Sequence, residues 1–172
     1  MTSLLDSTIE HSSEAFNAAL SRAQAEMEDR RCPVAFAMEM LGDKWSLLII
    51  RDMALFQACR YSELQQSIGS ISTNILADRL KRLSERGLLE KFKDPDDGKS
   101  SIYLLTDKGL DLLPVLGQLV RWGMQYDEHS AVPSSALTAL KKGPTFIQER
   151  KEQLSKQRLA LEKKTTPNLK KP

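Results

Sequence analysis

The sequence predicts a mainly α-helical fold with a small β-hairpin wing. This is an α+β winged helix-turn-helix with added helices at its N- and C-terminal ends. Three observations predict it. Ser72 to Gly87, STNILADRLKRLSERG, reads as an amphipathic helix with Ile75, Leu76, Leu80 and Leu83 on one face at 100° per residue. Asn74, Ala77, Asp78 and Lys81 fall roughly opposite, with Thr73 and Arg82 at the edges. A short helix, Tyr61 to Ile68, precedes it, and a hairpin, Leu88 to Thr106, follows. Helix, turn, helix and two-stranded wing form a DNA-reading arrangement. Alone, the central helix would read as a solvated charged surface, and its flanks decide between the two.

At 172 residues the chain can form one well-buried domain with additions. Charged residues make up 28% and hydrophobic ones 41%, which suits a globular protein in water. The charge is uneven: residues 1–31 carry −3, residues 32–140 carry −2, and residues 141–172 carry +7. The strongly basic piece is therefore the tail. Cys32 and Cys59 cannot build a disulfide framework and lack the spacing of a zinc site. No signal peptide and no membrane-spanning run is read, so a cytoplasmic, reducing compartment is expected.

Taken in order, residues 1–31 form an N-terminal extension with a helix over residues 13–30. Its stripe of Phe16, Leu20, Ala23 and Met27 suits packing on one neighbour, the domain or a second subunit. Cys32-Pro33 opens the next helix, with Pro33 at its first position and Gly42 at its end. Asp43 caps a third helix, Lys44 to about Phe56, whose centre is almost wholly apolar and belongs to the core. Gly69 gives the turn after the short helix its corner. Ser72 or Thr73 caps the central helix and Gly87 closes it. Arg79 lies on its core side, where a guanidinium needs an acid such as Glu63.

Leu88 to Lys93 and Ser101 to Leu105 read as strands joined by the turn formers Asp94-Pro95-Asp96-Asp97-Gly98. Thr106 or Asp107 caps a long apolar helix over residues 110–126, with Pro114 a candidate kink. It carries more apolar surface than one side of a small domain can cover, so part of it should face a partner. Residues 131–144 have the composition of a linker, residues 145–164 suggest a last helix with a thin stripe, and residues 165–172 read as a basic disordered tail. The predicted division is 1–31, 32–128 and 129–172.

The motifs CPVAFAMEMLGDKWSLLIIRDM, RYSELQQSIGSISTNILADRLKRLSERGLLEK and YLLTDKGLDLLPVLGQLVRWG resemble the HxlR-type bacterial transcriptional regulators, a winged-helix branch close to the MarR type. The match covers residues 32–127, and the terminal extensions lie outside it. The resemblance implies a homodimer on double-stranded, pseudo-palindromic operator DNA. It also implies that some members sense electrophiles, aldehydes or oxidants through a cysteine in the position of Cys32.

The candidate DNA-binding residues are Arg60, Ser72, Thr73, Asn74, Asp78, Lys81, Arg82, Lys93, Lys99 and Ser100. Thr73, Asn74 and Lys81 lead into the major groove, with Asp78 able to accept from a cytosine amine. Ser72 suits a phosphate, as do Lys93, Lys99 and Ser100 beside an acidic loop tip. Cys32 is the candidate redox switch, because a helix N-terminus and the neighbouring Arg30 and Arg31 favour a thiolate. A small apolar packing role is its alternative. Two further function classes compete with an operator-binding regulator, whose effector could also be an unknown small ligand. One is a winged-helix protein–protein module without operator binding, and salt dependence separates the two. The other is an enzyme, which the sequence argues against: His11 and His129 stand near the ends, and no phosphate loop, triad or metal cluster is present. No cofactor or metal is expected.

Overall fold

A computed structural model of the chain describes residues 32–165 together with residues 17 and 21. The helix predicted over residues 13–30 lies outside the described residues apart from those two positions, as do Arg30, Arg31 and residues 166–172. The chain divides into two compact units, Met1–Gly42 and Asp43–Pro172.

The first unit contains helix α1, Pro33–Leu41, entered through Pro33 with Cys32 at the N-cap position. The Cys32 carbonyl accepts from the Phe36 amide at 2.9 Å, and no side-chain bond caps the helix.

The second unit begins with α2, Lys44–Leu55. The Asp43 carboxylate accepts from the Trp45 and Ser46 amides, each at 3.0 Å, and from the Ser46 hydroxyl at 2.6 Å. These bonds satisfy amides that have no partner inside the helix. Helices α3, Tyr61–Ile68, and α4, Thr73–Glu85, form the helix-turn-helix pair. The wing is β1, Leu89–Lys93, antiparallel to β2, Ser101–Leu105, with Leu89 opposite Leu105 and Lys93 opposite Ser101. A backbone bridge from Arg60 to Ile102 adds a short third rung.

The core of the second unit is built around α2. Ile49 and Ile50 of α2 sit among Leu64, Leu76, Leu80, Leu83, Leu105 and Leu110, all essentially without solvent contact. Burying each such side chain contributes about 1.5–3 kcal/mol before the entropy of ordering is set against it. Asp52 lies wholly inside: its carboxylate accepts from the Ser67 hydroxyl and from Arg51 Nε, both at 2.6 Å. Those bonds supply what burial takes from it.

The chain after the wing departs from the sequence reading in two places, the helix over residues 110–126 and the linker. The long helix predicted over residues 110–126 is broken. Thr106 caps a single turn, α5, Asp107–Leu110, and a new helix, α6, runs over Leu113–Tyr126. Pro114 sits in its first turn, where a missing N–H costs nothing; inside a continuous helix its ring would meet the carbonyl of Leu110. The predicted linker holds a helix, α7, Ser134–Lys142. The last helix, α8, Pro144–Thr165, has Leu154 and Leu161 buried and carries Arg150 into the fold. Arg150 Nη2 donates to the Met53 carbonyl at 3.0 Å, at the end of α2. Arg158 Nη2 donates to the Leu105 carbonyl at 2.7 Å, and its Nε pairs with Glu90 at 2.7 Å.

Candidate nucleic-acid interface

The reading head is positioned from below by its leucines. Leu76, Leu80 and Leu83 recur on one face of α4 and are buried. Ile75, expected among them, is 36% exposed and lies at the margin of that face. Its offset from Leu76 by one residue turns it about 100° toward solvent. The Ser72 hydroxyl accepts from the Ile75 amide at 3.4 Å. At the far end the Leu88 amide reaches the Leu83 carbonyl and the Gly87 amide reaches Ser84, a Schellman closure. Gly87 makes that closure possible with φ of 69°, a region costly to a side chain.

This anchoring leaves Thr73, Asn74, Ala77, Asp78, Lys81 and Arg82 exposed along the opposite side. Tyr61 of α3 donates its hydroxyl to the Thr73 carbonyl at 2.7 Å, which fixes the helix start against the helix before it. Arg79 pairs with Asp43 at 3.2 Å and with Asp78 at 3.2 Å, not with the expected Glu63. The Asp43 carboxylate that caps α2 thereby also holds α4. Asp78 keeps 55% of its side chain in solvent, but one oxygen is engaged by Arg79. Lys81 extends freely enough to be 75% exposed, with a loose contact to Glu85 at 3.8 Å.

The residues around the wing divide into held and open ones. Arg60 is held: its Nε pairs with Asp94 at 2.7 Å and its Nη1 with Glu63 at 3.3 Å. Glu63 also accepts from the Cys59 and Arg60 amides at 2.8 and 3.0 Å. Burial pushes the Glu63 carboxyl up, but these bonds outweigh it and hold it below its ordinary value. The hydrogen bond from Arg60 holds the Asp94 carboxyl below its own. The Arg60 guanidinium thus ties the start of α3 to the wing. Ser100 donates its hydroxyl to Asp97, which lowers the Asp97 carboxyl, so Ser100 belongs first to the loop. Lys93 and Lys99 are exposed on either side of that loop.

Of the cysteines, Cys32 is half-buried at the start of α1. Burial, reinforced by the Glu63 carboxylate, pushes the Cys59 thiol up, which disfavours a reactive thiolate there. Among the described residues no group of three or more His, Cys, Asp and Glu could hold a metal, and no helix is long and apolar enough to cross a membrane.

The HxlR-like helix-turn-helix family model matches residues 40–131, which span α2 to α6 and so both the paired helices and the wing. The chain belongs to the HxlR-like helix-turn-helix family. An HTH-type transcriptional regulator of Halalkalibacterium halodurans, BH0655, is 36% identical over 93 residues, covering 54% of this chain and 82% of its own. One of Mycobacterium tuberculosis, MT3179, is 36% identical over 93 residues, but that stretch is 58% of its length. The crystal structure of PA1607, described as a candidate transcription factor, superposes with a TM-score of 0.54 at 38% identity, covering 62% of this chain and 75% of that one. This HxlR-like protein is therefore a helix-turn-helix transcriptional regulator in a family of regulators, not of enzymes. Helices α7 and α8 lie beyond the matched residues.

The sequence missed two things here. Leu47 and Leu48, assigned to the core, are only half-buried and line an open groove with Leu113 and Leu116. The arginines of α8, given no role in the expected last helix, dock it. A signal existed for the second: Arg150 and Leu154, like Arg158 and Leu161, are three or four apart and share a helix face.

Proposed function

We propose that this protein binds an inverted-repeat operator as a homodimer, with α4 in the major groove. The observation that carries the reading is the two-sidedness of α4: three buried leucines below, and Thr73, Asn74 and Lys81 presented above. Thr73, Asn74 and Lys81 read base edges, Asp78 accepts from a cytosine amine with its unengaged oxygen, and Arg82, Ser72, Lys93 and Lys99 meet phosphates. Arg60 and Ser100 support these contacts by fixing the wing. Val115, Leu119, Trp122 and Tyr126 are exposed along α6, an apolar stripe fit for a second copy. Two heads about 34 Å apart then match successive turns of the duplex. The three-part division of the chain, at residues 31 and 128, and a cytoplasmic site of action belong to the same proposal.

Cys32 is the proposed switch. It stands at the root of α1, where an adduct or an intersubunit disulfide would shift one head against the other.

The experiment is titration of operator duplex across salt concentrations, with and without diamide. Wild type should lose affinity steeply with salt. Asn74→Ala and Lys81→Ala should each cost about 1–3 kcal/mol. Diamide should weaken wild type and spare Cys32→Ser. Salt-independent binding would favour a protein–protein module. An equal diamide response in both forms would remove Cys32 as the switch.

A further inference from the structure

We infer that the groove between α2, α6 and α7 is a binding site for a small amphipathic monoanion, an apolar body with one carboxylate-like head. It has a volume of about 380 Å³, inside the roughly 300–1,000 Å³ range of small-molecule sites. Its walls are Leu47 and Leu48 of α2, Leu116 and Val120 of α6, and Leu140 of α7. Two cationic side chains are among the lining residues, Lys44 and Arg51, which stand seven residues apart on the same face of α2. An apolar molecule would satisfy the walls and ignore the cations. A multiply charged one would have no place for its other charges.

The head group has a defined place. Arg51 spends Nε on Asp52 at 2.6 Å, which leaves the outer edge of its guanidinium, Nη1 and Nη2, as the fork for a carboxylate. Lys44 Nζ rests 4.3 Å from the Trp45 ring centroid and can swing to the same oxygen pair.

The groove borders the surface offered to a second copy and shares Leu119 with it. Leu113, Leu116, Gly117 and Val120 face it, while Val115, Trp122 and Tyr126 point roughly 150° away round the same helix. Helix α7, which closes the groove, lies outside the family match at residues 40–131. The site is therefore a property of this chain's C-terminal addition. It also has a route to the reading head: Arg51 holds Asp52, and Asp52 accepts from Ser67 at the end of α3.

Calorimetric titration with decanoate and decanol tests the site without DNA. Wild type should bind one decanoate per chain, at least tenfold tighter than decanol. Gly117→Leu fills the groove, since a Cβ there already meets Leu140 at 3.2 Å, and should weaken decanoate at least tenfold. Lys44→Gln, an exposed change that leaves the packing alone, should narrow the decanoate preference severalfold. Absent or unsaturable binding, no preference over decanol, or unchanged binding in both variants would overturn the site. Decanoate should also shift operator affinity at least threefold in wild type and not in Gly117→Leu. An unmoved operator affinity with the groove occupied would overturn the regulatory role, and a failure of ligand-free protein to bind DNA would be seen separately.

Discussion

Helices α4 and α8 look alike in composition, both rich in basic residues with a few leucines, yet they use their charges differently. Helix α4 is held chiefly by leucines; Arg79 is tied to Asp43, but Lys81 and Arg82 stay exposed for another molecule. Helix α8 buries Leu154 and Leu161 but adds basic side chains as anchors, with Arg150 on the Met53 carbonyl and Arg158 on the Leu105 carbonyl and Glu90. The segment of highest positive charge, +7 over residues 141–172, thus spends part of that charge inside the protein. Local net charge does not locate a nucleic-acid surface; what each charge already touches does.

The largest effect that would sharpen this contrast is Leu80→Ala. Leu80 is 1% exposed, so its truncation should cost about 2–5 kcal/mol, read as a lower urea midpoint. A cost below 1 kcal/mol would mean that α4 is not held by its leucines. Next comes Arg150→Ala. Burial pulls this guanidinium below its ordinary pKa, and its loss leaves the buried Met53 carbonyl without that donor. About 1–3 kcal/mol should be lost, while Lys156→Ala, exposed on the same helix, should stay within about 0.5 kcal/mol. Equal effects of the two would break the comparison.

The smallest effect is one of pH. Asp94 and Glu63 both have folded-state pKa values below their ordinary ones, so the folded state holds them ionised more firmly than the unfolded chain does. Their contribution is present above roughly pH 4 and is lost as pH falls through the lowered values. The melting temperature should therefore fall on acidification below about pH 4, and Asp94→Asn should shallow that fall. An acid limb unchanged by Asp94→Asn would detach the wing from the Arg60 contact.

The fold was legible where local pattern and burial coincide. The Asp43 cap, the helix over residues 61–68, the strand over residues 101–105 and the leucine face of α4 all carry their reasons within a few residues of chain. What stayed hidden depends on contacts distant in sequence. Arg79 pairs with Asp43, while Glu63 is occupied by Arg60 and two amides. Nothing near Arg150 announces a carbonyl 97 residues away. The break before α6 was within reach, since Pro114 was read as a kink when it more naturally begins a helix. The groove was out of reach because it needs α7, which a linker-like composition concealed.

The surroundings of β2 have a consequence for how the protein behaves in crowded solution. A two-stranded hairpin ordinarily leaves raw backbone along its flank, ready to recruit a strand from any passing chain. Here the Tyr103 amide is taken by the Cys59 carbonyl at 2.7 Å, Ile102 is bridged by Arg60, and the Leu105 carbonyl is taken by Arg158. The far flank, β1, is five residues long and carries Lys91 and Lys93 as exposed charges. The wing can project from the body without being adhesive, and its resistance to aggregation rests in part on a single arginine donated by the last helix.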